Sequence, residues 1–91
     1  MEFLVQIEVR LPAEMDPQRK QVLLEAESTQ GKELVRKGTI KRIWRIPGRY
    51  ANFTLYEVPD ATELHSIISS LPLWPYMEVT VHPLALHPLE K

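Results

Sequence analysis

The sequence predicts an α+β sandwich whose elements follow one another as β-α-β-β-α-β. Three observations carry this reading. Segments of period-two alternation open the chain, flank a Pro-Gly pair near its middle and recur toward its end. Two stretches between them carry apolar residues at helical spacing, each behind an aspartate able to cap a first turn. Each change of period coincides with a proline or a glycine.

The elements follow in order. Phe3, Val5, Ile7 and Val9 alternate with Leu4, Gln6, Glu8 and Arg10, a first strand that Leu11-Pro12 ends. Asp16 caps a helix with Pro17 at its first position, and Val22, Leu23, Ala26, Gln30 and Leu34 fall on one side of it. Gly38, behind the basic pair Arg36-Lys37, stops that helix. "TIKRIWRI" and "YANFTLYEV" are two strands around Pro47-Gly48. Pro59-Asp60 opens a second helix, with Asp60 and Glu63 spaced as a capping-box variant and Leu64, Ile67, Ile68 and Leu71 as its stripe. "PLWPY" is a connection, and "MEVTV" alternates as a fourth strand. The tail "HPLALHPLEK" holds too many prolines for regular structure and is free to lie across a neighbour. With right-handed crossovers this order is the ferredoxin-like sandwich: two helices on one face of an antiparallel four-stranded sheet. The other face is left open, so a homo-oligomer is expected.

Composition narrows the function. The 91 residues are expected to form a single domain spanning 1–91, near the lower limit for a self-sufficient core. A formal net charge of -1 argues against nucleic acid as the main partner. Without cysteine there is no disulfide framework, thiol nucleophile or zinc-thiolate site. The acidic, alternating start "MEFLVQIEVR" does not read as a signal peptide, and no stretch approaches the ~18 apolar residues of a membrane span. The expectation is a soluble, cytoplasmic protein with no membrane partner.

The densest chemistry lies in "IWRIPGRYANF". If the turn pairs Ile46 with Arg49, Arg45 lies opposite Tyr50 and Ile43 opposite Asn52. One sheet face then holds Ile40, Arg42, Trp44, Ala51, Phe53 and Leu55. The other holds Ile43, Arg45, Tyr50, Asn52, Thr54 and Tyr56. Arg45, Tyr50 and Asn52 together could bind a small anion, the guanidinium gripping a carboxylate while phenol and amide donate to a carbonyl oxygen. Cross-strand pairing at a solvated or subunit-facing surface is the competing reading. A Pro-Gly turn also tends to splay a hairpin, which leaves the register open.

Glu27 sits at the edge of the first helix's apolar stripe, near Leu23 and Leu34. Partial burial there would raise its pKa toward values useful to a general base; a carboxylate tipped into solvent is the plainer alternative. His65, His82 and His87 have no metal-ligand spacing, so no metal site is expected. Three glycines leave no phosphate-binding loop, and no cofactor motif is present. Phe53 and Tyr56 cannot share the open face of a regular strand, which weakens an RNA-recognition reading.

"LPAEMDP", "WRIPGRYANF", "ELH", "LPLWPYMEVTV" and "HP" stand in an order and spacing that resemble the muconolactone Δ-isomerases from Met1 to about His87-Pro88. The resemblance implies a ferredoxin-like subunit of a large homo-oligomer, a decamer, with sites near subunit contacts. It also implies a place in the 3-oxoadipate pathway of aromatic degradation. The implied reaction converts a small lactone bearing a carboxymethyl group, muconolactone, to 3-oxoadipate enol-lactone without a cofactor. A proton leaves C4 and one is added at C2. On this resemblance Glu27 shuttles the proton, Tyr50 and Asn52 stabilise the dienolate, and Arg45 holds the carboxylate. Trp44 is a wall or support, although the hairpin register puts it on the opposite face, and Tyr76 and His87 are wall residues from the same or a neighbouring chain.

The chain departs from the family beside the glutamate, where lysines flank it in the family and Leu24 and Ser28 stand here. That departure implies slower turnover or another lactone. A chloromuconolactone dehalogenase is the nearest enzymatic alternative, since the same base could expel chloride. A non-catalytic oligomeric module that binds a small carboxylate is the alternative from another class.

Overall fold

A computed structural model describes residues 1–90. The elements are β1 (Glu2–Val9), α1 (Pro17–Arg36), β2 (Ile40–Arg45), β3 (Ala51–Glu57), α2 (Ala61–Ser69) and β4 (Met77–Leu84). The strands form one antiparallel sheet in the order β2-β3-β1-β4, the topology predicted from the element order. Asp16 accepts the Arg19 N–H at 3.0 Å and Asp60 accepts that of Glu63 at 2.8 Å, so both predicted caps satisfy a first-turn donor.

Alternation along β1 decides which face is covered. Phe3, Val5 and Ile7 point to the helices and pair with Tyr56, Thr54 and Asn52 of β3. Leu64, Ile68 and Leu71 close over them from α2 and its following turn, with Leu34 of α1 and Ile40 of β2 completing the core. Each fully buried aliphatic side chain of this kind contributes about 1.5–3 kcal/mol.

Four local expectations need correction. The inward face of α1 runs through Leu23, Leu24, Glu27, Gln30, Gly31 and Leu34, while Val22 is 61% exposed and Ala26 is also outside. Glu27 therefore sits in the middle of the inward face rather than at its edge.

The hairpin register is shifted by two residues: Arg45 pairs with Asn52 and Ile43 with Thr54. The cause is a tight turn in which Gly48 has φ +79° and Arg49 N–H reaches the Ile46 carbonyl at 3.2 Å. A Pro-Gly turn of this hand does not match the strand twist, so the ladder closes only at Ile46 and Ala51, where N–H meets carbonyl at 3.0 Å. An even shift preserves the faces of the residues near the turn.

An irregularity between Ile40 and Arg42 reverses the predicted face of Ile40, which pairs with Tyr56 and enters the core. Finally, β4 continues through His82, Pro83 and Leu84 into the predicted irregular tail, and Pro88–Glu90 form a 3₁₀ turn. Pro83 is tolerated because β4 is an edge strand with no outer neighbour to receive an N–H. Lys91, the last residue of that tail, lies outside the described residues.

The tail leaves the body. The radius of gyration is 14.3 Å and the long axis 50 Å, against about 12 Å expected for the radius of a compact chain of this length. Leu86 and Leu89 are 63% and 89% exposed.

Candidate active site

A cleft of about 470 Å³ lies between α1 and the helix-covered face of the sheet. Glu27, Ser28 and Lys32 line it from α1, Ile43 and Arg45 from β2, and Asn52, Thr54 and Tyr56 from β3. Tyr50 joins from the hairpin, where its carbonyl accepts the Val9 N–H at 3.0 Å and ties the turn to β1. Leu34, Leu71, Leu73 and Met77 supply apolar walls. The predicted residues Glu27, Arg45, Tyr50 and Asn52 thus meet in one space. They do so on the helix-covered side of the sheet, with Tyr50 48% exposed and Arg45 also exposed at the rim.

Each side chain is aimed by a specific contact. Glu27 Oε1 accepts the Leu73 N–H at 2.9 Å. Leu73 opens the 3₁₀ turn Trp74–Tyr76, so its N–H lies among the donors that a helical start leaves unpaired. One carboxylate oxygen is thereby anchored, and the other is left for the cleft. Burial raises the Glu27 pKa above the ordinary carboxylate value, and the Leu73 hydrogen bond opposes that rise in part. The Thr54 hydroxyl, itself buried, donates to Asn52 Oδ1 at 2.6 Å. With its carbonyl oxygen so occupied, Asn52 presents its NH₂ group as the donor end. The Arg45 guanidinium stacks over the Tyr50 ring at 5.6 Å, a cation–π contact that holds both at the mouth.

The structure does not bring Trp44, Tyr76 and His87 to this cleft within the chain. Trp44 alternates with Arg45 along β2 and so faces the open side of the sheet, where Arg42 lies 5.0 Å over its ring. The Tyr76 hydroxyl accepts from the Arg19 guanidinium at 3.4 Å near the start of α1. His87 lies beyond β4 in a separate surface recess shared with Met1 and Glu57, and its Nδ1 accepts the Leu89 N–H at 3.1 Å.

Two cleft residues escaped the sequence reading. Tyr56 is 1% exposed, and burial reinforced by the negative charge of Glu27 pushes its phenol up to about 12. Period-two alternation had already placed it on the face of Asn52 and Thr54, but a tyrosine there reads as core. Lys32, one helical turn beyond Ser28, brings a second cation to the cleft beside Arg45. Its signal was the spacing of four residues, which returns a side chain to the same helix face.

Residues 1–90 match the family model described as muconolactone delta-isomerase. The muconolactone delta-isomerase of Pseudomonas aeruginosa is 40% identical over 88 residues, covering 97% of this chain and 92% of the relative. Muconolactone delta-isomerase 2 of Acinetobacter lwoffii is 40% identical over 87 residues, covering 96% and 91%. A crystal structure of muconolactone isomerase superposes with a TM-score of 0.91 at 41% identity, covering 97% of this chain and 92% of the other.

Proposed function

The chain belongs to the muconolactone delta-isomerase family, and we propose that its cleft isomerises muconolactone to 3-oxoadipate enol-lactone by proton transfer through Glu27. The observation that carries this reading is a partly desolvated carboxylate facing the amide of Asn52 and the Arg45–Tyr50 pair across one small, mostly apolar cleft.

The chemistry follows from what each group can do. The reaction removes a proton from C4 and returns one to C2, so it is neutral in redox terms and needs a base that can release what it takes. A carboxylate whose pKa is raised by burial holds a proton better than an exposed one, and its anchored Oε1 keeps the free oxygen at a constant position. Loss of the C4 proton spreads negative charge to the lactone carbonyl. The Asn52 NH₂ and the Tyr50 hydroxyl are the donors assigned to that oxygen. Arg45 receives the carboxymethyl group, and Lys32 adds positive potential on the facing helix. The apolar walls keep water from the dienolate.

The working form is a homo-oligomer, a decamer by family resemblance, in the cytoplasm. Support comes from the apolar side chains left uncovered: Trp44 on the open sheet face, and Leu86 and Leu89 in the tail. No helix among the described residues is long and apolar enough to cross a membrane. Trp44, Tyr76 and His87 would then act as wall residues only across a contact between chains. Gel filtration with light scattering measures the assembly directly, and a monomer at micromolar concentration would refute it.

The reaction is tested by proton NMR of the purified protein with muconolactone in deuterated buffer. The C4 proton signal should disappear as the enol-lactone grows in, with incomplete deuterium uptake at C2 if one base carries the proton across. Unchanged substrate at high protein concentration would exclude muconolactone as substrate.

A further inference from the structure

Tyr56 is the most deeply buried ionisable side chain lining the cleft, and the proton-transfer scheme leaves it without a role. Its ring is packed in the core with Phe3, Ile40 and Leu34. Its hydroxyl joins no hydrogen bond with the described residues, yet among them no sealed-off side-chain nitrogen or oxygen goes unpaired. The little surface that Tyr56 keeps therefore includes this oxygen, and the residue lines the cleft. A phenol in that position is held by core packing instead of by a flexible stem, so its donor is preorganised.

We propose that the Tyr56 hydroxyl donates a hydrogen bond to the oxyanion that forms on the bound ligand, from the same inward face of β3 that presents Asn52. Asn52 and Tyr56 are four residues apart on one strand, so they line the same face about two pleats from one another. Thr54, between them, spends its hydroxyl on Asn52 and is unavailable to a ligand. Glu27 is anchored to Leu73 and makes no hydrogen bond with Tyr56, which leaves the phenol proton for the substrate. Because the phenol stays protonated across the ordinary pH range, it is a donor throughout. No bond to Tyr56 forms or breaks; the residue stabilises charge and keeps its proton.

The assignment deepens the isomerase reading and rests on it for the identity of the substrate, so the test has two arms. Tyr56→Phe removes one oxygen and keeps the ring, and its melting temperature and assembly show whether the core holds. In turnover of muconolactone, kcat should fall about 10- to 100-fold with KM changed less than about twofold. In the binding arm the probe is 4-hydroxy-3-nitrophenylacetate, which carries a carboxymethyl arm and a phenol that ionises visibly across the ring. The wild-type protein should favour the bound phenolate, and Tyr56→Phe should lose about tenfold of that preference, roughly one unit in the probe's apparent pKa. An unchanged phenolate preference in the variant, or none in the wild type, overturns the assignment. A wild type that favours the phenolate through Tyr56 yet leaves muconolactone untouched overturns the isomerase reading alone.

Discussion

Two helices cover the same sheet face and do opposite things with it. The nine residues of α2 bury Leu64 and Ile68 outright, while the twenty residues of α1 bury only Leu34. Leu64 and Ile68 of the short helix join Phe3 and Val5 in the core. The inward face of the long helix is mostly half-buried, and Glu27 on it lines the cleft with Asn52 and Tyr56. Close burial and open space are thus divided between the two helices of one layer. A cleft needs a helix that forgoes burial, and the tight core under α2 supplies the cohesion that α1 does not.

The comparison breaks most visibly at Glu27. Glu27→Gln keeps the size of the side chain and an oxygen for the Leu73 N–H, so assembly and ligand affinity should persist while kcat falls about 10²–10⁴-fold in the NMR assay. Opposite behaviour is expected from α2. Ile68→Ala should cost about 2–5 kcal/mol in urea unfolding, with the activity per folded molecule little changed. If Ile68→Ala abolished turnover in the folded fraction, the division between the two helices would be wrong. Asn52→Ala should reduce kcat about 10²-fold with a small change in KM, since the role proposed for its amide is on charge that develops only after the proton leaves.

The pH dependence sharpens the contrast. Burial raises the Glu27 pKa, so kcat/KM should rise with pH through an apparent pKa above the ordinary value of 4.5. Stability should move the other way. Between the unfolded and the raised folded pKa the native state holds more protons than the unfolded chain, so unfolding free energy falls as pH rises through that window. Glu27→Gln should remove that slope, which urea titrations at several pH values would reveal. The smallest effect is expected at Lys32, which stands exposed at the mouth: Lys32→Met should raise KM for the carboxylate substrate a few-fold, with kcat held.

Much of this was legible from local rules. Alternation in "FLVQIEV", the caps Asp16 and Asp60 and the Pro47-Gly48 turn specify strands, helix starts and a hairpin because each depends on neighbours within a few residues. The same alternation put Arg45, Tyr50 and Asn52 on one face, and a register shifted by two left that result intact. It failed where contacts are distant. Val22 and Ala26 read as core and are exposed, because docking against the sheet, not the helix's own pattern, selects the face that turns inward.

What the sequence by itself determined is the order of elements, the caps and, away from the irregularity at Ile40, the residues that share a strand face, all set by backbone geometry and side-chain period. Only the tertiary structure decided which face the helices cover, and so whether the hairpin cluster points to solvent or to Glu27. It alone made the buried Tyr56 a lining residue of the cleft, and left Trp44 on the far side of the sheet. The physical reason is that burial and desolvation are properties of surfaces brought together from distant segments: the Leu73 N–H reaches Glu27 across 46 positions of the chain, and no local pattern encodes that contact.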